Sequence, residues 1–203
     1  MLKLEKKQKE IRKFIAIDLE TRTEENSSEK IISGYINKFN TRSQYMGFYE
    51  EVSKGAFDET LADGHNIYAM YNHNADMILG STRSGSLKLN VDNIGLHFEL
   101  RINPNISYAS DIAELVKSGD LEGCSFGFWV TDDEWTYTED KIDLRIIKEL
   151  ELIEVTITPF PAYLDSEANC RSFELHNKEV EKAKELRDLE KEIELLEIEA
   201  ELL

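Results

Sequence analysis

The chain has 203 residues, room for one substantial domain with extensions. Hydrophobic residues at 41% and aromatics at 9% provide a core and exclude a wholly disordered chain. The net charge of −17 argues against a general nucleic-acid binder, which needs Lys and Arg to displace counterions from phosphates, and against an anionic membrane surface. No apolar run approaches the ~18–20 residues of a membrane-spanning helix. The start, MLKLEKKQKEIRKF, is too charged for a secretory signal. Two cysteines, Cys124 and Cys170, cannot build a disulfide framework, so a reducing cytoplasm is expected.

Charge divides the chain into three. Residues 1–13 carry six bases against two acids and read as a basic, helix-prone arm. Residues 174–203 carry eleven acids against five bases. All three prolines and all ten glycines fall between these ends, so residues 14–173 are expected to form the folded domain.

Strand signals open the middle. A mixed apolar stretch at Phe14–Leu19, a polar turn at Glu24–Lys30 and the run Ile31–Phe39 suggest a hairpin. Ile67–Tyr71 is a short apolar run ending at Asn72-His73-Asn74. Leu87, Leu89 and Val91 alternate with polar residues, as do Leu96, Phe98 and Leu100 beyond the turn Asp92–Gly95, which predicts an antiparallel hairpin. Ser107–Ser118 predicts a helix with an Ile112, Leu115, Val116 stripe, Ser107 as cap and Gly119 as stop. Cys124–Val130 and Arg145–Ile157 read as strands, the second apolar on both faces as a central strand would be. The expected fold is α+β, with a mainly antiparallel β-barrel or sandwich core and surrounding helices. In the tail, Leu186, Leu189, Ile193, Leu196, Ala200 and Leu203 are spaced 3, 4, 3, 4, 3, the seam of a coiled coil suited to self-association.

The four histidines and two distant cysteines show no metal-ligand spacing, and Gly80–Gly85 lacks the ending of a phosphate-binding loop, so no metal or nucleotide cofactor is expected. A hydrolytic nucleophile remains. Ser125 lies between Gly123 and Gly127 in an otherwise apolar strand, where a substrate backbone can approach closely. A serine hydroxyl needs a base within reach and a third group to orient that base. His73, just past an apolar run, suits the base, and Glu149, Glu151 and Glu154 are candidate orienting acids. Strict strand alternation puts Glu154 on the face of Leu150 and Leu152, and Glu151 with Ile153, Val155 and Ile157; it does not choose between them. The commonplace alternatives are a structural strand serine, a turn histidine and glutamates paired with Arg145. A small-molecule esterase would carry its serine in a Gly-x-Ser-x-Gly elbow between strand and helix; Ser125 has Gly127 at +2 and Cys124 at −1 but sits within a strand, which disfavours that reading.

The order of the pieces carries more weight than any one of them. Gly55-Ala56-Phe57 with Leu61, Tyr71-Asn72-His73-Asn74 with Gly80, Asn93-Ile94-Gly95-Leu96, Ala109–Gly119 running into Cys124-Ser125-Phe126-Gly127-Phe128, Arg145-Ile146, Leu152–Thr156 and Phe160-Pro161-Ala162-Tyr163 together resemble the prohead proteases of tailed bacteriophages. The resemblance covers roughly residues 14–170. It implies a fold similar to the herpesvirus assembly protease and a serine endopeptidase with Ser125 as nucleophile, His73 as general base and Glu154 as third member. Thr156 stands where the family usually has Ser, and His97 is an alternative third member, since the herpesvirus relatives use a second histidine there. The implied substrates are the scaffold region of the major capsid protein and the protease itself. The implied location is the assembling prohead in the cytoplasm of a bacterial host. A non-enzymatic assembly or scaffold protein is the rival reading.

Overall fold

The computed structural model describes residues 9–15, 17–23, 30–159 and 167–201. Two compact units are separated at Ser166 and Glu167. The first holds two sheets. One has six strands: β1 (Glu10–Ile15), β9 (Gly123–Tyr137), β10 (Asp143–Thr158), β5 (Tyr68–Tyr71) and β6 (Asn74–Ser81) in that order, with β4 (Tyr49–Val52) also on β10. The other runs β2 (Ile17–Thr23), β3 (Lys30–Lys38), β8 (Gly95–Ile102), β7 (Leu87–Val91). Pairing is antiparallel except where β10 meets β4 and β5. The expected α+β class with mostly antiparallel sheets is present, but among the described residues the sheets do not close into a barrel.

One core joins the sheets. Ile32, Ile36, Leu96, Phe98 and Leu100 from the four-stranded sheet meet Phe126, Phe128, Leu150, Leu152, Val155 and Ile157 from the six-stranded sheet. Helix α1 (Asp58–Ala62) supports β10, with Thr60 Oγ1 accepting the Leu152 amide at 2.8 Å. Helix α2 (Ser107–Ser118) matches its expected span and buries Ala109, Ile112, Ala113 and Val116, an i, i+3, i+4, i+7 stripe. Leu115, assigned to the buried stripe from sequence, is 40% exposed. Two alanines let the backbone approach the core, which rotates the stripe away from Leu115. Ser107 does not cap the helix; the N-cap position is Ile106, with no side-chain bond. Gly119 closes it at φ 82°, a left-handed conformation that suits glycine.

The basic N-terminal segment departs from expectation. Instead of a helix-prone arm, residues 10–15 are a strand whose Cα atoms pair with 123–128 of β9. Tertiary contacts override local propensity here: Arg12 is buried against Glu10 and Glu50, and Arg145 bonds both of those carboxylates. The second unit is one helix, α3 (Glu167–Glu201), beginning before the acidic boundary at 174. Leu186, Leu189 and Ile193 on its sequence seam are about half exposed, whereas the Leu196 and Ala200 side chains and Leu203 lie outside the described residues. The stretch Phe160–Tyr163 also lies outside them.

Candidate active site

Three elements of the six-stranded sheet bring the candidate residues together. Ser125 sits on β9 directly opposite Thr156 of β10, and Gly127 opposite Glu154. Directly opposed residues of an antiparallel pair share a face, so Ser125, Gly127, Glu154 and Thr156 lie on one side. Their neighbours Cys124, Phe126, Val155 and Ile157 fill the core on the other. Cys124, the residue before Ser125, is fully buried there, and burial pushes its thiol up to about 12.

A bulge puts Glu154 on this face. Leu152 pairs with Phe128 and Glu154 with Gly127, so Ile153 is an extra residue on β10. Before the bulge the even-numbered Leu150 and Leu152 face the core; after it the odd-numbered Val155 and Ile157 do. Strict alternation would therefore have set Glu154 against the core. The bulge turns it out beside Thr156. Close by, the His65 ring bridges Asp63 Oδ1 at 2.5 Å and the Leu152 carbonyl at 2.6 Å.

His73 arrives on the turn between β5 and β6. Tyr71 pairs with Asn74, leaving Asn72 and His73 as a two-residue loop with φ of 50° and 58°. Both central residues of a type I′ hairpin turn need positive φ, and Asn tolerates it well. The parallel docking of β5 on β10 carries the turn to the site: the Asn72 amide donates to the Ile157 carbonyl at 2.9 Å, and the His73 amide to Thr156 Oγ1 at 3.3 Å.

The resulting geometry is specific. His73 donates Nδ1–H to Glu154 Oε1 at 2.7 Å, and the Thr156 hydroxyl donates to Glu154 Oε2 at 2.7 Å. Glu154 has no exposed surface. Burial alone would raise its carboxyl, but the hydrogen bond and charge of His73, followed by the Lys9 ammonium, hold it below the ordinary glutamate value. Lys9 Nζ bonds the same Oε1 at 2.9 Å. Gly127 provides the room, because a Cβ there would collide with both Lys9 and Glu154. On the far side of the ring, His73 Nε2 is buried without a hydrogen-bond partner. Ser125 is also fully buried, and its hydroxyl donates to the Arg12 carbonyl of β1 at 2.7 Å.

The other candidates lie elsewhere. His97 is on β8 in the four-stranded sheet, its ring against Tyr35 at 5.1 Å. Glu151 is on β10 opposite Trp129, ahead of the bulge. Glu149 is exposed. Sequence reasoning passed over two contributors, Thr156, noted only as a replacement, and Lys9; Gly127 was noted as room for a substrate backbone, whereas here it makes room for Lys9 and Glu154. A hydroxyl two residues after a buried carboxylate was the available signal for Thr156. Lys9 had none, since it acts through a long-range contact with Glu154. Among the described residues no group of three or more His, Cys, Asp or Glu is arranged to hold a metal ion. No described helix is long and apolar enough to cross a membrane.

A buried carboxylate orienting an imidazole, with a strand serine on the same sheet face, is the set of groups that serine hydrolases use for acyl transfer. Comparison with known sequences gives the lineage. The chain belongs to the caudovirus prohead serine protease family, whose model matches residues 17–198. It is similar to the prohead protease of Escherichia phage T5, with 39% identity over 83 residues, 41% of this chain and 37% of that protein. It is also similar to the prohead protease of Enterobacteria phage HK97, with 29% identity over 140 residues, 68% of this chain and 58% of that one. The chain thus spans less than two thirds of the length of either curated relative. No solved structure matches it.

Proposed function

We propose that the protein is a serine endopeptidase that matures phage proheads by cleaving the scaffold region of the major capsid protein and itself. The observation that carries this reading is the His73–Glu154 pair at 2.7 Å, with Nε2 unpartnered on the Ser125 face of the sheet. Family membership and the names of the two phage relatives support it.

Ser125 is the nucleophile, His73 the general base and Glu154 the orienting acid. With Nδ1–H donated to Glu154, the neutral imidazole presents a lone pair at Nε2. That nitrogen takes the Ser125 proton as Oγ bonds to the peptide carbonyl carbon. The proton then passes to the amine as the C–N bond breaks, leaving an acyl-serine ester that water hydrolyses by the reverse transfers. Glu154 fixes the tautomer and stabilises the imidazolium between these steps. The enzyme works inside the assembling prohead in the host cytoplasm, with neither nucleic acid nor membrane as partner. Helix α3 mediates self-association through its exposed apolar seam.

One observation favours a second reading. The Ser125 hydroxyl is engaged by the Arg12 carbonyl, as it would remain in a non-catalytic assembly or scaffold protein. Mass spectrometry of the chain, incubated alone and with a capsid protein that retains its scaffold region, separates the two. The endopeptidase yields discrete fragments that Ser125→Ala abolishes. Equal cleavage by wild type and Ser125→Ala rejects the endopeptidase and leaves the assembly role.

A further inference from the structure

The edge of β9 beside Ser125 is taken by the chain's own N-terminal segment. We propose that this edge is the acceptor for an extended peptide carrying a cationic side chain, and that residues 9–15 occupy it in cis as a displaceable strand that keeps the site latent. The proposal rests on Ser125 and His73 acting as nucleophile and base.

Topology makes the edge available. Among the described residues β1 is the terminal strand of its sheet and pairs with β9 alone, from Glu10 opposite Phe128 to Ile15 opposite Gly123. Lifting it would expose main-chain donors and acceptors on both sides of Ser125. An unpaired strand edge of this kind takes an extended peptide by β-strand addition, in which the main chain gives affinity and side-chain pockets give specificity.

Two contacts make the segment 9–15 a blocking occupant rather than a passive neighbour. The Arg12 carbonyl accepts the Ser125 hydroxyl at 2.7 Å, so the proton that the base must take is directed away from His73. His73 Nε2 is correspondingly buried with no partner. Lys9 Nζ occupies Glu154 Oε1, the oxygen that also holds His73 Nδ1. An ammonium there opposes the imidazolium that forms in acyl transfer. With Ser125 fully buried, no substrate carbonyl reaches Oγ until β1 moves.

The occupant also reveals the pocket's chemistry. The Arg12 guanidinium is gripped by Glu50, through Nε and through Nη2 to Oε2 at 2.6 Å, and lies 5.4 Å from the Phe128 ring centroid. Glu10 Oε2 of the same strand takes Nη2 at 2.6 Å, and Arg145 Nη1 bonds Glu10 at 2.9 Å. A carboxylate with an aromatic face suits a planar cation. Tethering raises the local concentration of β1, so a competing peptide gains access only when the strand opens.

The test uses the full chain and a fluorophosphonate probe, with labelling of Ser125 read by intact mass. Arg12→Glu places a carboxylate against Glu10 and Glu50 and should release β1. Labelling should then rise by at least about tenfold, because reactivity scales with the open fraction. The synthetic peptide KEIRKFI should return Arg12→Glu to slow labelling, and the same peptide with Ala for Arg should not. Equal labelling of wild type and a cooperatively folded Arg12→Glu, or indifference to the peptide, overturns the in-cis strand. No labelling of either chain overturns the nucleophile assignment instead. Should Arg12→Glu fail to fold, amide hydrogen exchange on the wild type decides. Amides of residues 10–15 should exchange at least about 100-fold faster than those of 154–158, as a separately opening segment does. Equal protection makes β1 an integral strand and rejects the proposal.

Discussion

The Thr156 hydroxyl donates to Glu154 Oε2 at 2.7 Å and accepts the His73 amide at 3.3 Å, so one side chain ties the candidate base to its carboxylate. Thr156 is 1% exposed and Glu154 fully buried.

Thr156→Val should therefore destabilise the chain by about 1–3 kcal/mol, the penalty for leaving buried polar partners unsatisfied. Thr156→Ser keeps the hydroxyl and should lie much closer to wild type. Urea unfolding of the three chains measures this. A Val variant as stable as the Ser variant would show that the hydroxyl contributes nothing.

Glu154 makes stability depend on pH. Its folded carboxyl is held below the ordinary value of 4.5 by His73 and Lys9, which outweigh burial. A depressed folded value contributes stability that is complete above the unfolded value and lost as pH falls through the folded one. The stability gap between wild type and Glu154→Gln should hold steady above about pH 5 and narrow below it. Urea midpoints between neutral and acid pH check this, and a gap that widens on acidification has the wrong sign.

The buried ionic cluster should respond unequally to loss of its two arginines. Arg145 bonds Glu10, Glu50 and Asp133, and its removal strands carboxylates inside the domain. Arg145→Met should cost about 3–5 kcal/mol, the range for breaking a buried ion pair from one side. Arg12→Met should cost less, because β1 can lift away with Glu10 and leave Glu50 to Arg145. Thermal or urea unfolding compares them, and a larger loss for Arg12 would mark β1 as part of the folding core.

Helix α3 leaves Leu186 at 53%, Leu189 at 56% and Ile193 at 50% exposure. If this seam drives self-association, Leu189→Glu with Ile193→Glu should shift sedimentation velocity toward the monomer. Deleting residues 174–203 should preserve cooperative unfolding, since every described sheet strand precedes it. An unchanged sedimentation profile for the double variant would remove the seam from assembly.

Local pattern determined the elements. Alternation marked the β7–β8 hairpin, an apolar stripe and a terminal glycine marked α2, and apolar residues on both faces marked β10 as central. These signals are legible because each records the environment of a few consecutive residues. Tertiary structure decided where the site groups face. The bulge at Ile153 reverses the alternation that alone would have buried Glu154 against the core, and a slip of one residue moves a side chain to the opposite face. Conversion of the basic arm into β1 likewise depended on partners far along the chain, Glu50 and Arg145. Sequence supplied the residues of the candidate site. The register between distant strands, set by packing and buried charge, decided which of them meet.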